Sequence, residues 1–408
     1  MKLHCGLLIL FSHQLVASDW VSRGGDSYLE YVDFVSNDGV VQIEESPSGD
    51  FVYAGTSLSG NDAVDTITVY SKNPANGALT EAFAYTQGVA GVDGLTGIND
   101  IQITLDNSCL YVSSLKFIVP FDQDGHLAAF RVDSVSGSLS FVEAIDRLDP
   151  SNGNFTAPYK IALSSDNRFL YMAVSSEVMV FSVDVTDCQL TYVTKYAISG
   201  GGFGSDLVFD QSEDHLYVTL GTTGPPNSGG VVMFARDQMT GLLTPSEEYI
   251  NGEDGIVDLE NPVDLLLSGD GRYLYALAYD RDAVVVFTVD QLTSELTYDA
   301  SYVNLTNGIS GLIQPRRMAM SPDQDYLVIA TQWDYNLVVF SRDQQDGSLV
   351  YESAYYDGQN GFDHMLGLSD ILLSQDGFLY TTAVIDNAIQ IINTHPEIDD
   401  VIFRDGFD

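Results

Sequence analysis

Short apolar runs separated by polar turns recur along this chain at a spacing of roughly 50 residues, the period of a four-stranded repeat unit. One phrase returns seven times: SPSGDFVY (46–53), TLDNSCLY (104–111), SSDNRFLY (164–171), DQSEDHLY (210–217), SGDGRYLY (268–275), SPDQDYLV (321–328) and SQDGFLY (374–380). Each copy is a polar turn between two strands apolar enough to be buried on both faces, such as VDLLLS (263–268) before the turn and YLYALAY (273–279) after it. A third strand follows every copy, among them TITVYS (66–71), VVVFTV (284–289) and IQIIN (389–393). Then comes a turn such as RDQMTGLLT (236–244), whose Asp and Gly suit tight turns, leading into a more polar fourth strand such as LTYDASYV (296–303). Four antiparallel strands repeated seven times predict an all-β, seven-bladed β-propeller.

The seventh copy ends after its third strand, and SYLEYVDFV (27–35) resembles the missing fourth. The N-terminal strand is therefore expected to close the last blade and remove two open sheet edges. That sets the propeller at 19–394, leaving 395–408 as a C-terminal tail without a repeat partner. Ahead of it, residues 1–18 have the make-up of an export signal, with Lys2, an apolar run from Gly6 to Phe11, and small residues up to Ser18; a buried first strand is the other reading of so short a run. No stretch reaches the roughly 20 apolar residues of a membrane span. An extracytoplasmic monomer is expected, either periplasmic or secreted.

Charge narrows the partners. Lys and Arg number 16 against 58 Asp and Glu, a net charge of −42 that repels nucleic acid and phosphorylated ligands. With signal cleavage only Cys109 and Cys188 remain. They fall in turns on the same face of adjacent blades, either as a disulfide or as two separate small buried side chains.

Loop length separates the two faces. Turns from first to second and third to fourth strands are short, whereas the opposite face carries the blade-to-blade connections 86–98, 146–157, 251–260, 304–314 and 357–367 and long loops at 58–64, 116–125 and 222–229. A ligand site belongs on that loop face. Aligned on the shared turn, the innermost strands present Gln42, Asp100, Lys160, Asp206, Asp264, Arg317 and Asp370 at the channel mouth. Asp100, Asp206, Asp264 and Asp370 fit oxygen ligands for a hard cation such as Ca²⁺, or mutually paired charges capping the strands. Arg316 and Arg317 suit an anionic or carbonyl oxygen, His364 a general base, and Trp333 an aromatic platform for a sugar. Asp122, Asp124 and Gly125 carry part of a calcium-loop pattern without its remaining ligands.

The repeated S-x-D-G-x-x-L-Y, V-x-V-F and R-D-x-x-T-G-x-L-T phrases resemble the seven-bladed lactonase family, which includes propeller-type 6-phosphogluconolactonases and carboxymuconate-cyclising enzymes. That resemblance implies hydrolysis of a lactone ring by His, Arg and Glu side chains on the loop face. Carried over by position, the family's first histidine falls on Tyr159, beside Lys160. Its arginine and second histidine fall on Ser205 and Asp206, and its glutamate near Gly221. Only the later stretch is kept, as Pro315, Arg316, Arg317, Met318 and Ala319. Two functions follow as expectations. One is an extracytoplasmic hydrolase of a neutral lactone, with Arg316 polarising the carbonyl and Asp206 or His364 activating water, and with Tyr159, Lys160, Arg317 and Trp333 contacting the ligand. The other is a non-catalytic propeller that binds a glycan, a cation or a partner protein.

Overall fold

A computed structural model describes residues 29–33, 39–57, 65–118, 122–198, 202–221, 228–359, 362 and 364–393. Residues 1–18, read above as an export signal, the tail 395–408, the loop 58–64 and most of 222–229 lie outside the described residues. Seven four-stranded antiparallel sheets form the chain, and six of them run in plain sequence order from an innermost to an outermost strand. In the seventh, Leu29–Asp33 pairs with Ala388–Asn393, with Leu29 opposite Ile392 and Asp33 opposite Ala388, so the N-terminal strand closes the ring as expected. Among the described residues no helix is long and apolar enough to cross a membrane.

Seven apolar clusters hold the blades together, one at each interface between neighbours. The closing interface joins Phe378, Tyr380, Ile389 and Ile391 of blade 7 to Val40, Ile43, Val52 and Ala54 of blade 1. Second strands such as Phe51–Thr56 and Tyr273–Ala278 are buried at every position because each is covered on both faces, whereas the outermost strand Leu243–Ile250 is largely exposed.

The final tyrosine of the repeated phrase explains its own recurrence. The hydroxyls of Tyr53, Tyr111, Tyr171, Tyr217, Tyr275 and Tyr380 donate to the carbonyls of Gly137, Cys188, Gly241, Ser294, Gly347 and Gly77, each in the third-to-fourth turn of the next blade. Blade 6 has Val328 there, and the blade after it is the one whose third and fourth strands come from opposite ends of the chain. No such turn exists to receive a phenol. Gly241 is favoured twice over, with φ +72° and a Cβ position that would run into the Phe169 ring of the preceding blade, whereas Cys188 and Ser294 hold the same left-handed conformation in their own turns.

Cys109 and Cys188 form a disulfide between blades 2 and 3, at the short-turn face. One expectation fails. The loop foreseen at 116–125 is a hairpin, because Cys109–Ile118 and Asp122–Val132 stay paired with Lys116 opposite Asp124 and Ile118 opposite Asp122. Asp122 and Asp124 therefore lie on a strand and not in a calcium-binding loop.

Candidate functional site

The innermost strands surround the central channel: Val40–Glu45, Ile98–Ile103, Pro158–Leu163, Leu207–Phe209, Pro262–Leu267, Pro315–Met320 and Leu368–Leu373. Six of them carry a bulge just where the channel-mouth ring begins, as between Val40 and Gln42 or Pro315 and Arg317. A bulge breaks the alternation of faces, so two successive side chains can serve the same surface. Arg316 and Arg317, like Val41 and Gln42, accordingly line one cavity.

That cavity, about 370 Å³, opens on the loop face between blades 1, 2, 6 and 7. Gln42, Asn99, Arg316, Arg317, Gln332 and Ser369 give it polar walls. Trp333, Tyr335, Val384 and Ile385 supply an apolar side, with Trp333 and Ile385 each 63% exposed.

The carboxylates of the ring do a different job. Asp100 accepts the backbone N–H of Ile161 at 2.9 Å, Asp206 that of Leu265 at 2.7 Å, Asp264 that of Met318 at 2.9 Å and Asp370 that of Ile43 at 3.1 Å. Each bond runs to the innermost strand of the next blade, so the aspartates fasten the ring around its axis. Lys160 Nζ lies 2.9 Å from Asp100, and Arg317 lies 3.7 Å from both Asp264 and Asp370. Of the two readings of this ring, these contacts correspond to mutually paired charges. Among the described residues no group of three or more His, Cys, Asp or Glu is placed to hold a metal ion.

Burial disfavours charge here, and partners decide the balance. Asp206, Asp264 and Asp370 are raised from the ordinary aspartate value chiefly by burial, Asp264 further by Asp206. Burial alone would pull Lys160 and Arg317 down. The surrounding aspartates together outweigh it, Asp100 with Asp370 and Asp206 for Lys160, and Asp264 with Asp370, Asp206 and Asp100 for Arg317, so both stay charged. Arg316 differs from its neighbour: burial and Arg317 push it below the usual guanidinium range, and Nη1 donates to Gln332 Oε1 at 3.2 Å.

Of the residues singled out in the sequence, Arg316, Arg317 and Trp333 line the cavity, and Asp206, His364, Tyr159 and Lys160 are not among its lining residues. Asp206 is engaged by Leu265, while Tyr159 is half-buried on the blade 3 strand, its carbonyl accepting from the Ser113 hydroxyl. His364 is half-buried in the connection into blade 7, with φ +58°. Thus Arg316, Asp206 and His364 are not assembled around one point of the cavity. Sequence reasoning missed Gln332, Tyr279 and Glu44. Glu44 had a visible signal, since two positions past the ring the other blades present Gln102, Ala162, Val208, Leu266, Ala319 and Leu372, none of them ionisable.

Comparison with known proteins follows the fold. A Bacillus subtilis 6-phosphogluconolactonase is 24% identical over 282 residues, 56% of this chain and 77% of that one. An uncharacterized Lactococcus lactis protein is 26% identical over 245 residues, and the match spans 56% of this chain but only 65% of the relative's length. The solved structure of the Pseudomonas aeruginosa periplasmic gluconolactonase superposes with a TM-score of 0.64 at 21% identity, covering 86% of this chain and 90% of that one, a likeness of fold. The family profile described as Lactonase, 7-bladed beta-propeller, matches residues 145–259 and 253–363. With that profile matched across more than half its length and seven closed blades to accord with it, the chain belongs to the seven-bladed β-propeller lactonase family.

Proposed function

We propose that this protein hydrolyses a neutral lactone at the channel-mouth cavity, outside the cytoplasm. The observation that carries the reading is Arg316: in a chain with a net charge of −42 it opens into a cavity with an amide, not a carboxylate, as its hydrogen-bond partner. A guanidinium left uncompensated is suited to an oxygen that becomes negative during reaction. Attack of water on the lactone carbonyl carbon places charge on the carbonyl oxygen, Arg316 stabilises it, and collapse breaks the ring C–O bond to give a hydroxy acid. A phosphorylated lactone fits poorly. Its dianion would need further cations, and Arg317 is already committed to Asp264 and Asp370. The half-exposed Trp333 offers a face to a sugar ring. Export is supported by the Cys109–Cys188 bond, which suits an oxidising compartment.

A second reading, glycan binding without catalysis, is favoured by the lining itself, in which no described carboxylate or imidazole takes part. Purified protein assayed on a panel of neutral sugar lactones by pH-stat separates the two. Hydrolysis requires turnover above the spontaneous rate that falls about 100-fold in Arg316→Ala, the scale of losing one oxyanion donor. Absence of any turnover, with sugar binding abolished by Trp333→Ala, would leave the binding reading.

A further inference from the structure

Arg316 is held by a relay that crosses from blade 6 to blade 5. Gln332 Oε1 accepts from Arg316 at 3.2 Å, and the Tyr279 hydroxyl lies 2.9 Å from Gln332 Oε1 and 2.9 Å from Gln314 Oε1. A phenol has one proton to donate, so one of those two amides must turn its NH₂ toward the phenol oxygen. Gln332 Oε1 already receives a guanidinium proton. The arrangement that satisfies every group therefore has Tyr279 donating to Gln332 and the Gln314 amide donating to Tyr279.

The electrostatic consequence is specific. The other arginine at this mouth, Arg317, faces two aspartates, whereas the ionisable neighbours acting on Arg316 are Arg317 and Tyr279. A carboxylate at position 332 would orient Arg316 equally well and cancel its charge. A glutamine backed by a phenol orients it and leaves the charge in place.

We infer that Tyr279 and Gln332 are positioning residues that keep Arg316 an uncompensated cation for a ligand carboxylate, so that the cavity takes a monoanionic sugar acid of the aldonate class. The inference rests on the lactone reading of this cavity, since an aldonate is the ring-opened counterpart of a sugar lactone. Without its partners the guanidinium swings free, and with a carboxylate partner it has nothing to offer an anion.

Isothermal titration with sodium gluconate and, as the neutral counterpart, glucitol tests this on the whole protein, with melting temperature recorded for each variant. The unsubstituted protein is expected to prefer gluconate, and Arg316→Ala to lose about 10-fold or more of that affinity, the scale of a charge-assisted hydrogen bond. Tyr279→Phe is expected to lose about 3- to 10-fold with its melting temperature nearly unchanged. Gln332→Glu is the decisive variant: nearly isosteric, it is expected to abolish the preference for gluconate over glucitol while the fold stays at least as stable. Gluconate binding undiminished in both Tyr279→Phe and Gln332→Glu overturns the inference, as does the absence of any gluconate preference in the unsubstituted protein. Arg316-dependent gluconate binding without lactone turnover would sink the hydrolase proposal and leave this one standing. Lactone turnover with gluconate binding indifferent to positions 279 and 332 would do the reverse.

Discussion

Glu44 should make the protein lose stability as pH rises through neutrality, and replacing it by glutamine should abolish that loss. It lies on the innermost strand of blade 1, half-buried, where burial first and then Asp100 push its carboxyl from 4.5 up to about 8, with Lys160 opposing and Asp370 and Glu45 adding to the rise. Because the folded value is the higher one, unfolding releases a proton between those limits. Stability from this group is therefore constant below about pH 4.5, falls as pH climbs to about 8, and is constant again above. Each pH unit is worth about 1.4 kcal/mol, so the window spans about 5 kcal/mol at most, and water in the channel reduces this to about 2–4 kcal/mol. An unfolding entropy of about 2.1 cal/mol/K per residue converts that to about 2–5 °C for a chain of this length.

Glu44→Gln keeps the shape and cannot ionise. Calorimetry from pH 5 to pH 9 at fixed ionic strength should find the two proteins melting together at pH 5. By pH 8.5 the variant should be higher by about 2–5 °C. Asp206 and Asp264, whose values burial also raises and which are not among the groups acting on Glu44, are present in both proteins and cancel in the difference, whereas Asp370, which acts on Glu44, contributes to the effect being read. Parallel melting profiles, or a variant that becomes the less stable one as pH rises, would refute the reasoning.

Two further outcomes test the fastening of the ring. Reducing the Cys109–Cys188 bond, or replacing both cysteines by serine, frees a loop with a sequence separation of 79 and should cost about 4 kcal/mol, read as a melting temperature lower by about 5 °C; an unchanged melting temperature after verified reduction would contradict this. Asp370→Ala strands the Ile43 N–H at the closing interface and should cost about 2–3 kcal/mol in urea unfolding, while Asp370→Asn keeps an acceptor and should cost less. Equal losses for the two would show that the hydrogen bond is not what Asp370 contributes.

Blade number, strand order and closure were legible because each blade repeats the same local chemistry. The turn phrases that reveal the repeat are also the inter-blade fasteners, so losing one of their tyrosines removes a bond between neighbouring blades, while the acceptor turn tolerates Cys188 or Ser294 in place of glycine. Even the one departure, Val328 for tyrosine, marks the blade that faces the seam between the two chain ends. The ring of charges was legible as positions, with its role left open between a cation site and mutually paired charges. Whether Asp264 binds a cation or a neighbouring backbone depends on where the Met318 N–H points, and that is set by the twist between blades, which no stretch of sequence carries alone.

The same limit explains Arg316. Alignment brings it and Arg317 to the mouth as equals, two adjacent cations on one strand. What separates them is a bulge that turns both toward the cavity and then gives them different company, aspartates from blades 5 and 7 for Arg317 and a glutamine backed by a blade 5 tyrosine for Arg316. One guanidinium lies against two aspartates of the ring, and the other is the one we propose for a ligand. In a chain this acidic a surface arginine finds a carboxylate almost anywhere, so the neutral surroundings of Arg316 must be built, and the residues that build them come from positions 279 and 332, remote in sequence from the motif that draws the eye. What marks Arg316 for the role we propose is the acid it lacks more than the motif in which it sits.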